Sequence, residues 1–186
     1  MRVAPVGLLF SDDLDRVQEE ARLSALPTHV HPVGVEGAQL LAVAVALAAR
    51  GPDCDRKAFY HELRGRARTE EFRWALRTAA RLTPGDTVSV LGNSLEAHRS
   101  VVTAVACFAL APHSYADAVG RAIGLGNDTD TLAAMTGALS GAHLGLAAVP
   151  RHLLEKLEGG AKGRTYIHSL GARLHEVYRA RRNSDA

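Results

Sequence analysis

The sequence has 186 residues, of which 47% are hydrophobic and 23% charged, so it fits one globular domain and excludes a disordered chain. The formal net charge of +2 is too small to indicate nucleic-acid binding by charge alone, so no direct nucleic-acid partner is expected. The longest apolar run, residues 40–49, is shorter than the roughly 20 residues that cross a bilayer, so no membrane partner is expected either.

Hydrophobic spacing and helix-capping residues predict helices along the whole chain. A short apolar segment, residues 1–10, leads into helices expected at residues 12–25, 33–50, 55–66, 70–81, 83–92 (a short turn), 95–110, 115–125, 129–144, 150–157 and 165–181. Ser11, Thr69 and Ser114 are the expected N-caps of the helices that follow them. Because no segment alternates like a strand and no linker or repeat divides the chain, residues 1–186 are expected to form one compact, all-α, multi-helix domain.

Two apolar segments make predictions about the core. Residues 40–47 are apolar on every side of their helix, which indicates a helix surrounded by other helices. The two cysteines, Cys54 and Cys107, are far apart and lack metal-ligand spacing, so both are expected to be reduced thiols of a cytoplasmic protein. Cys107 lies in an apolar run, where a free cysteine packs as a small hydrophobic side chain.

The segment Gly126-Asn127-Asp128-Thr129-Asp130-Thr131 is the strongest candidate for chemistry. Two carboxylates two residues apart, at a turn before a helix, can point to one spot, where they repel each other unless a cation lies between them. Oxygen ligands select a hard ion, with Mg²⁺ first and Mn²⁺ or Ca²⁺ as alternatives, and the Thr131 hydroxyl can add a neutral ligand. The same residue types are also preferred helix N-caps, so a plain cap is the competing interpretation.

Three glycines follow the segment at four-residue spacing: Gly137, Gly141 and Gly145. Each glycine costs about 1 kcal/mol in a helix interior relative to alanine. We therefore expect the stripe to pack closely against another helix and to give the preceding turn a rigid base, which favours the metal interpretation over the plain cap.

These residues resemble a known family. The segment from Gly126 to Thr131, with Ala133-Ala134-Met135 and Gly137-Ala138 after it, resembles the C-terminal metal motif of the ADP-ribosylglycohydrolases. The other similar stretches are Met1-Arg2-Val3-Ala4, Thr28-His29 with His31-Pro32, Leu91-Gly92-Asn93-Ser94, Ser100-Val101 and Val149-Pro150. Because of Leu91-Gly92-Asn93, the similarity is greatest to the branch that removes ADP-ribose from serine and from poly(ADP-ribose).

The resemblance implies a fold, an activity and a set of site residues. The fold would be the multi-helix domain of that family, and the reaction would be a magnesium-dependent removal of ADP-ribose from modified proteins or ADP-ribose conjugates. Two Mg²⁺ ions would bind, with Mn²⁺ as the alternative, and Asp128, Asp130 and Thr131 would be metal ligands. Asp128 and Asp130 would be the catalytic residues. His29, Gly92, Asn93 and Ser94 would bind ADP-ribose.

The sequence departs from the family in two places. Asn127 replaces the second glycine of the metal motif, and asparagine tolerates the left-handed backbone better than most residues. Family members also have roughly a hundred residues before the position of Met1, which carry further metal ligands, so the chain is expected to be N-terminally truncated relative to them. Ser11-Asp12-Asp13 looks like one of the missing motifs, but it stands at a helix start and is interpreted as a cap.

Truncation leaves two functional expectations. The first is a glycoside-cleaving hydrolase that depends on metal, and the second is a catalytically inactive module that binds ADP-ribose or another protein. Two Mg²⁺ ions need about twelve ligand positions, which three side chains of one turn cannot supply. A partner chain, or exposed apolar surface, is also expected where the front portion would have packed.

Overall fold

The computed structural model describes residues 1–51 and 55–184, and every regular element within these residues is helical. The α-helices are α1 (Ala4–Leu9), α2 (Leu14–Ala25), α3 (Pro32–Ala48), α4 (Arg56–Arg66), α5 (Glu70–Arg81), α6 (Ala97–Leu110), α7 (Tyr115–Gly124), α8 (Thr129–Leu144), α9 (Arg151–Glu155) and α10 (Arg164–Ser184). Two short 3₁₀ helices, Val88–Leu91 and Leu146–Ala148, lie between α5 and α6 and between α8 and α9. The all-α prediction is confirmed. None of the described helices is both long and apolar enough to cross a bilayer.

Helix α3 is the centre of the fold. Residues 40–46 are at most 2% exposed, and α3 packs against α1, α2, α4, α6 and α8, which confirms the prediction of a helix surrounded by others. A second buried helix, α6, crosses the core beside it, because residues 101–110 are also buried. Alanine and valine dominate both helices, and such small side chains allow the neighbouring backbones to approach closely.

Cys107 lies within the buried part of α6 and has no exposed surface. It is a free cysteine, as predicted, and burial raises the pKa of its thiol to about 12. A thiol with that pKa stays protonated at neutral pH and packs as an apolar group. The other cysteine, Cys54, lies outside the described residues.

Several helix starts differ from the predictions. Within the segment of residues 1–10, Ala4–Leu9 form a separate helix, α1, with Pro5 in its first turn. The predicted cap Ser11 is wrong, because α2 begins later and the Asp13 carboxylate accepts the backbone N–H groups of Asp15 and Arg16. The interpretation of this acidic stretch as a cap is confirmed at Asp13.

The other two predicted caps have different outcomes. Ser114 caps α7 as predicted, because its hydroxyl accepts the N–H of Asp117. Thr69 precedes α5 as predicted, but its hydroxyl makes no capping bond. Instead the carboxylate of Glu36, 5% exposed on α3, accepts the backbone N–H groups of Arg68 and Thr69 and satisfies this helix start from the core.

The prediction of close packing along the whole glycine stripe of α8 is wrong at two of its three positions. At Gly137 an added Cβ would lie 2.9 Å from the Tyr115 hydroxyl of α7, so one close approach exists. At Gly141 the added atom would meet open space. Gly145 ends the helix with φ +77°, so it serves as a C-cap, where glycine adopts the left-handed backbone without strain.

Gly7 is the glycine that the packing of α1 on α3 requires. A Cβ at Gly7 would clash with the backbone carbonyl oxygen of Ala42 and lie 3.0 Å from the Val45 Cβ. Gly7→Ala is expected to lower the free energy of unfolding by about 1–3 kcal/mol, measured by urea denaturation, because the helices must separate. Gly120→Ala is the matched control, since its added methyl meets open space on α7 and should raise stability by about 0.5–1 kcal/mol. Equal effects of the two changes would contradict this account of the α1–α3 contact.

Candidate functional site

The turn before α8 is held in place by an asparagine from another segment. The side-chain amide of Asn93 donates to the carbonyl oxygens of Leu125 at 3.0 Å and of Gly126 at 2.8 Å. Its own oxygen accepts a hydrogen bond of 3.1 Å from the side-chain amide of Asn127. Three hydrogen bonds therefore fix the candidate metal segment to a loop more than 30 residues earlier in the chain.

Residues with left-handed backbone conformations occur both in the loop that contains Asn93 and in the turn before α8. Gly126 and Asn127 have φ values of +73° and +58°, and Asn127 is the one such residue other than glycine within residues 1–51 and 55–184. Asparagine is among the non-glycine residues that tolerate this conformation best, so the left-handed turn forms with asparagine at this position. Gly92, with φ +78°, ends the 3₁₀ helix before Asn93.

The Gly92 loop is tied to the core by a residue that the sequence analysis missed. The Thr103 hydroxyl donates to the Gly92 carbonyl oxygen at 2.5 Å, and Thr103 is fully buried on α6. Its signal was present in the sequence, because Thr103 is the one hydroxyl in the apolar run 101–110. A buried hydroxyl needs a partner, and here that partner positions the loop.

The two acidic residues of the candidate metal segment stand at the start of α8. Asp128 immediately precedes the helix, but its side chain makes no capping hydrogen bond, so the plain-cap interpretation lacks its defining contact. The pKa of Asp130 is lowered, first by a hydrogen bond with the Asp128 side chain and then by the N–H groups of Thr131 and Asp130 itself. Asp130 is therefore ionised at neutral pH, with the carboxyl group of Asp128 beside it.

This donor set suits a hard divalent cation. Asp128 and Asp130 offer carboxylate oxygens and Thr131 a hydroxyl at one turn, which are the ligand types that Mg²⁺ and Mn²⁺ prefer. Within the described part of the chain, no group of three His, Cys, Asp or Glu side chains is placed to hold a metal. The residues thus fit part of the coordination sphere of one ion, as expected for one turn.

A cavity of about 260 Å³ lies next to the turn and gathers residues from distant parts of the sequence. Thr131 and Met135 of α8 line it, and His29 lies on its wall. The lining also includes Met1, Arg2, Val3, Thr28, Leu95, Ser100 and Val101. Four of the sequence stretches that resemble the same family therefore contribute to one cavity.

His29 is positioned by its neighbours. Its Nδ1 lies 2.8 Å from the Thr28 hydroxyl, which in turn lies 3.2 Å from the Ala25 carbonyl oxygen. Both contacts are satisfied when the hydroxyl donates to Ala25 and Nδ1–H donates to the hydroxyl, which leaves Nε2 as an acceptor. Arg2 also donates to the Ser24 carbonyl oxygen at 3.0 Å, which ties the chain start to the end of α2.

The predicted substrate-binding residues fall into two groups. His29 lines the cavity, as a substrate contact requires. Gly92, Asn93 and Ser94 do not line it, and the polar atoms of Asn93 are engaged with the metal-segment loop. The Ser94 hydroxyl donates to the Glu96 carboxylate at 3.1 Å. Direct contact of these three residues with ADP-ribose stays a prediction. The hydrogen bonds of Asn93 show that it positions the turn before α8.

Neither Asp128 nor Asp130 lines this cavity, so Thr131 is the residue of the acidic turn that reaches it. The fold and the site define an all-helical protein with a cavity beside an acidic turn. Comparison with known proteins then places it: a family model described as ADP-ribosylglycohydrolase matches residues 1–184. The chain belongs to the ADP-ribosylglycohydrolase family.

Individual relatives agree with this assignment. The chain is 36% identical to the mouse (Mus musculus) protein named ADP-ribosylhydrolase ARH3, covering 96% of this chain and 56% of the relative. It is 33% identical to the human (Homo sapiens) protein of the same name, with 96% and 57% covered. It is 32% identical to a protein of Archaeoglobus fulgidus named only as an uncharacterized protein, with 96% of this chain and 57% of that relative covered. The chain thus spans a little over half the length of these relatives.

Asn93→Ala removes all three bonds that join the loops. We expect faster amide hydrogen exchange at residues 125–127 and a loss of about 1.5–4.5 kcal/mol in the free energy of unfolding, since each of the three bonds contributes about 0.5–1.5 kcal/mol. Ser94→Ala is the control, because Ser94 contacts Glu96 and not the metal segment. If exchange at residues 125–127 were unchanged in Asn93→Ala, the positioning role of Asn93 would be excluded.

Proposed function

We propose that this chain carries the metal-binding and substrate-binding parts of a magnesium-dependent hydrolase that removes ADP-ribose from modified proteins or ADP-ribose conjugates. One observation carries the proposal: His29 and Thr131, about a hundred residues apart in sequence, line the same cavity. The family membership and the names of the relatives support the substrate class. The free thiol of Cys107 supports a reducing, cytoplasmic location.

The acidic turn supplies the charge for the reaction. Bound Mg²⁺ would polarise the ribose hydroxyls and lower the pKa of a water molecule near the anomeric carbon. Asp128 and Asp130 would hold the cation by their charge, and the Thr131 hydroxyl would extend the ligand set toward the cavity. Glycoside cleavage develops positive charge on the sugar in an oxocarbenium-like transition state, which nearby carboxylates stabilise.

The remaining residues orient the substrate. His29 would accept a hydrogen bond from a ribose or adenine group through Nε2, since its Nδ1–H is used by Thr28. Asn93 would keep the carbonyl groups of Leu125 and Gly126, and hence the acidic turn, at a fixed distance from the cavity. Met135 and Val101 line the same cavity and would give a bound substrate an apolar contact surface.

A binding module without turnover is the second candidate function. It is favoured by the small number of acidic ligands at the site, because no three-residue metal cluster occurs among residues 1–51 and 55–184. Such a module would bind ADP-ribose through the cavity and leave the glycosidic bond intact.

Release of ADP-ribose from a serine-modified peptide separates the two candidates. We expect turnover by the 186-residue chain at millimolar Mg²⁺, none in EDTA and a loss of about a hundredfold or more in Asp130→Asn, because a charged metal ligand is replaced by a neutral amide. Binding of ADP-ribose in isothermal titration without any turnover would establish the module instead. The absence of both turnover and ADP-ribose binding would refute both candidate functions.

Asp130→Asn tests the ligand assignment separately from catalysis. Replacing a carboxylate ligand by a neutral amide should weaken Mg²⁺ or Mn²⁺ binding at least about tenfold, as measured by isothermal titration. Asp117→Asn, which removes an equal charge from the first turn of α7, should bind metal like the unmodified chain. Unchanged affinity in Asp130→Asn would remove Asp130 from the ligand set.

A further inference from the structure

A second cleft, larger than the cavity of the candidate site, lies between α4 and α5. It has a volume of about 620 Å³, and we call it the α4–α5 cleft. Four exposed cations line it: Lys57 and Arg64 from α4, and Arg77 and Arg81 from α5. No carboxylate of the described residues lines the cleft. It is therefore a concentrated positive surface on a chain whose net charge is only +2.

The four cations have no ion-pair partner within residues 1–51 and 55–184. Neighbouring arginines differ from them in this respect. Arg56 donates to the carbonyl oxygens of Ala80 and Leu82, which joins α4 to the end of α5. Arg73 pairs with Glu70 at 2.8 Å. The four charges are thus available to an anion from solution, which would relieve their mutual repulsion.

The spacing of the four cations fits a ligand with several anionic groups in a row better than it fits one small anion. Lys57 and Arg64 are seven residues apart, about 10 Å along one face of α4. Arg77 and Arg81 are four residues apart, about 6 Å along α5. His61 lies between the two cations of α4 and adds a hydrogen-bonding group to that wall. An extended polyanion can contact both walls in succession.

An exposed aromatic side chain lies on the same helix as two of these cations, outside the lining of the cleft itself. Trp74, the one tryptophan of the sequence, is 51% exposed on α5. It precedes Arg77 by three residues and Arg81 by seven, so all three side chains leave α5 on the same side. A positive groove with an aromatic platform is the combination by which proteins bind single-stranded nucleic acid, with phosphates in the groove and bases on the rings.

We propose that the α4–α5 cleft binds single-stranded nucleic acid, with the phosphate backbone between the two cationic walls and a base stacked on Trp74. The inference differs from the expectation drawn from net charge, because a sum over the chain conceals how the charges are distributed. It is independent of the proposed hydrolase activity, since none of these residues lines the cavity beside Thr131.

The test uses the whole 186-residue chain in EDTA, so that the acidic turn binds no metal. A fluorescein-labelled 12-nucleotide oligo(dA) is titrated, and both its anisotropy and the intrinsic fluorescence of Trp74 are recorded. We expect saturable binding, quenching of Trp74, and a slope of log Kd against log salt of about 3, since single strands contribute about 0.7 for each of four phosphates.

Two variants separate the contributions. Arg77→Gln/Arg81→Gln should weaken binding at least about tenfold and halve the salt slope, because two phosphate contacts are lost. Trp74→Ala should weaken binding about fivefold or more and leave the slope unchanged, because stacking is insensitive to salt. Both changes are on the exposed face of α5, and circular dichroism verifies that the helices remain.

The control removes the same charge elsewhere. Arg173→Gln/Arg179→Gln changes two exposed arginines of α10 and should bind like the unmodified chain. Equal weakening by both arginine pairs would overturn the proposal, as would the absence of oligonucleotide binding. Binding of polyphosphate, polyglutamate or an ADP-ribose polymer as tightly as the oligonucleotide, without quenching of Trp74, would overturn it as well.

Discussion

The burial of residues 40–46 of α3 is the constraint on which the other elements depend. A helical segment that is apolar on every side is stable in water only when neighbouring elements cover it, and α1, α2, α4, α6 and α8 pack around this one. Each fully buried valine or leucine contributes about 1.5–3 kcal/mol, so the arrangement of these neighbours is strongly determined. Their ends are then fixed in space, and the loops that join them form the candidate site.

A small number of hydrogen bonds connects this core to the acidic turn. Thr103 on buried α6 holds the carbonyl of Gly92, and the next residue, Asn93, holds the carbonyls of Leu125 and Gly126. The chain of bonds thus runs from the core to one loop and from that loop to the segment that carries Asp128 and Asp130. A metal site requires this kind of support, because ligands that shift freely lose the geometry a cation selects.

Much of this was predictable from sequence, for physical reasons. The burial of residues 40–46 follows from their composition alone, and the helix class follows from spacing and caps. The acidic turn was recognised because two aspartates before a helix are an unusual charge arrangement. The function of Asn93 as a link was not predictable, because hydrogen bonds between segments 30 residues apart leave no periodic signal. The cationic α4–α5 cleft was missed as well, since net charge does not report which helix faces are adjacent.

The central claim is that the turn from Gly126 to Thr131 binds a divalent cation beside the cavity that contains His29. The most direct measurement is anomalous diffraction from crystals of the chain soaked in Mn²⁺. The account predicts an anomalous peak within about 2–2.5 Å of carboxylate oxygens of Asp128 or Asp130. Full-occupancy Mn²⁺ elsewhere on the molecule, with no peak at this turn, would contradict it.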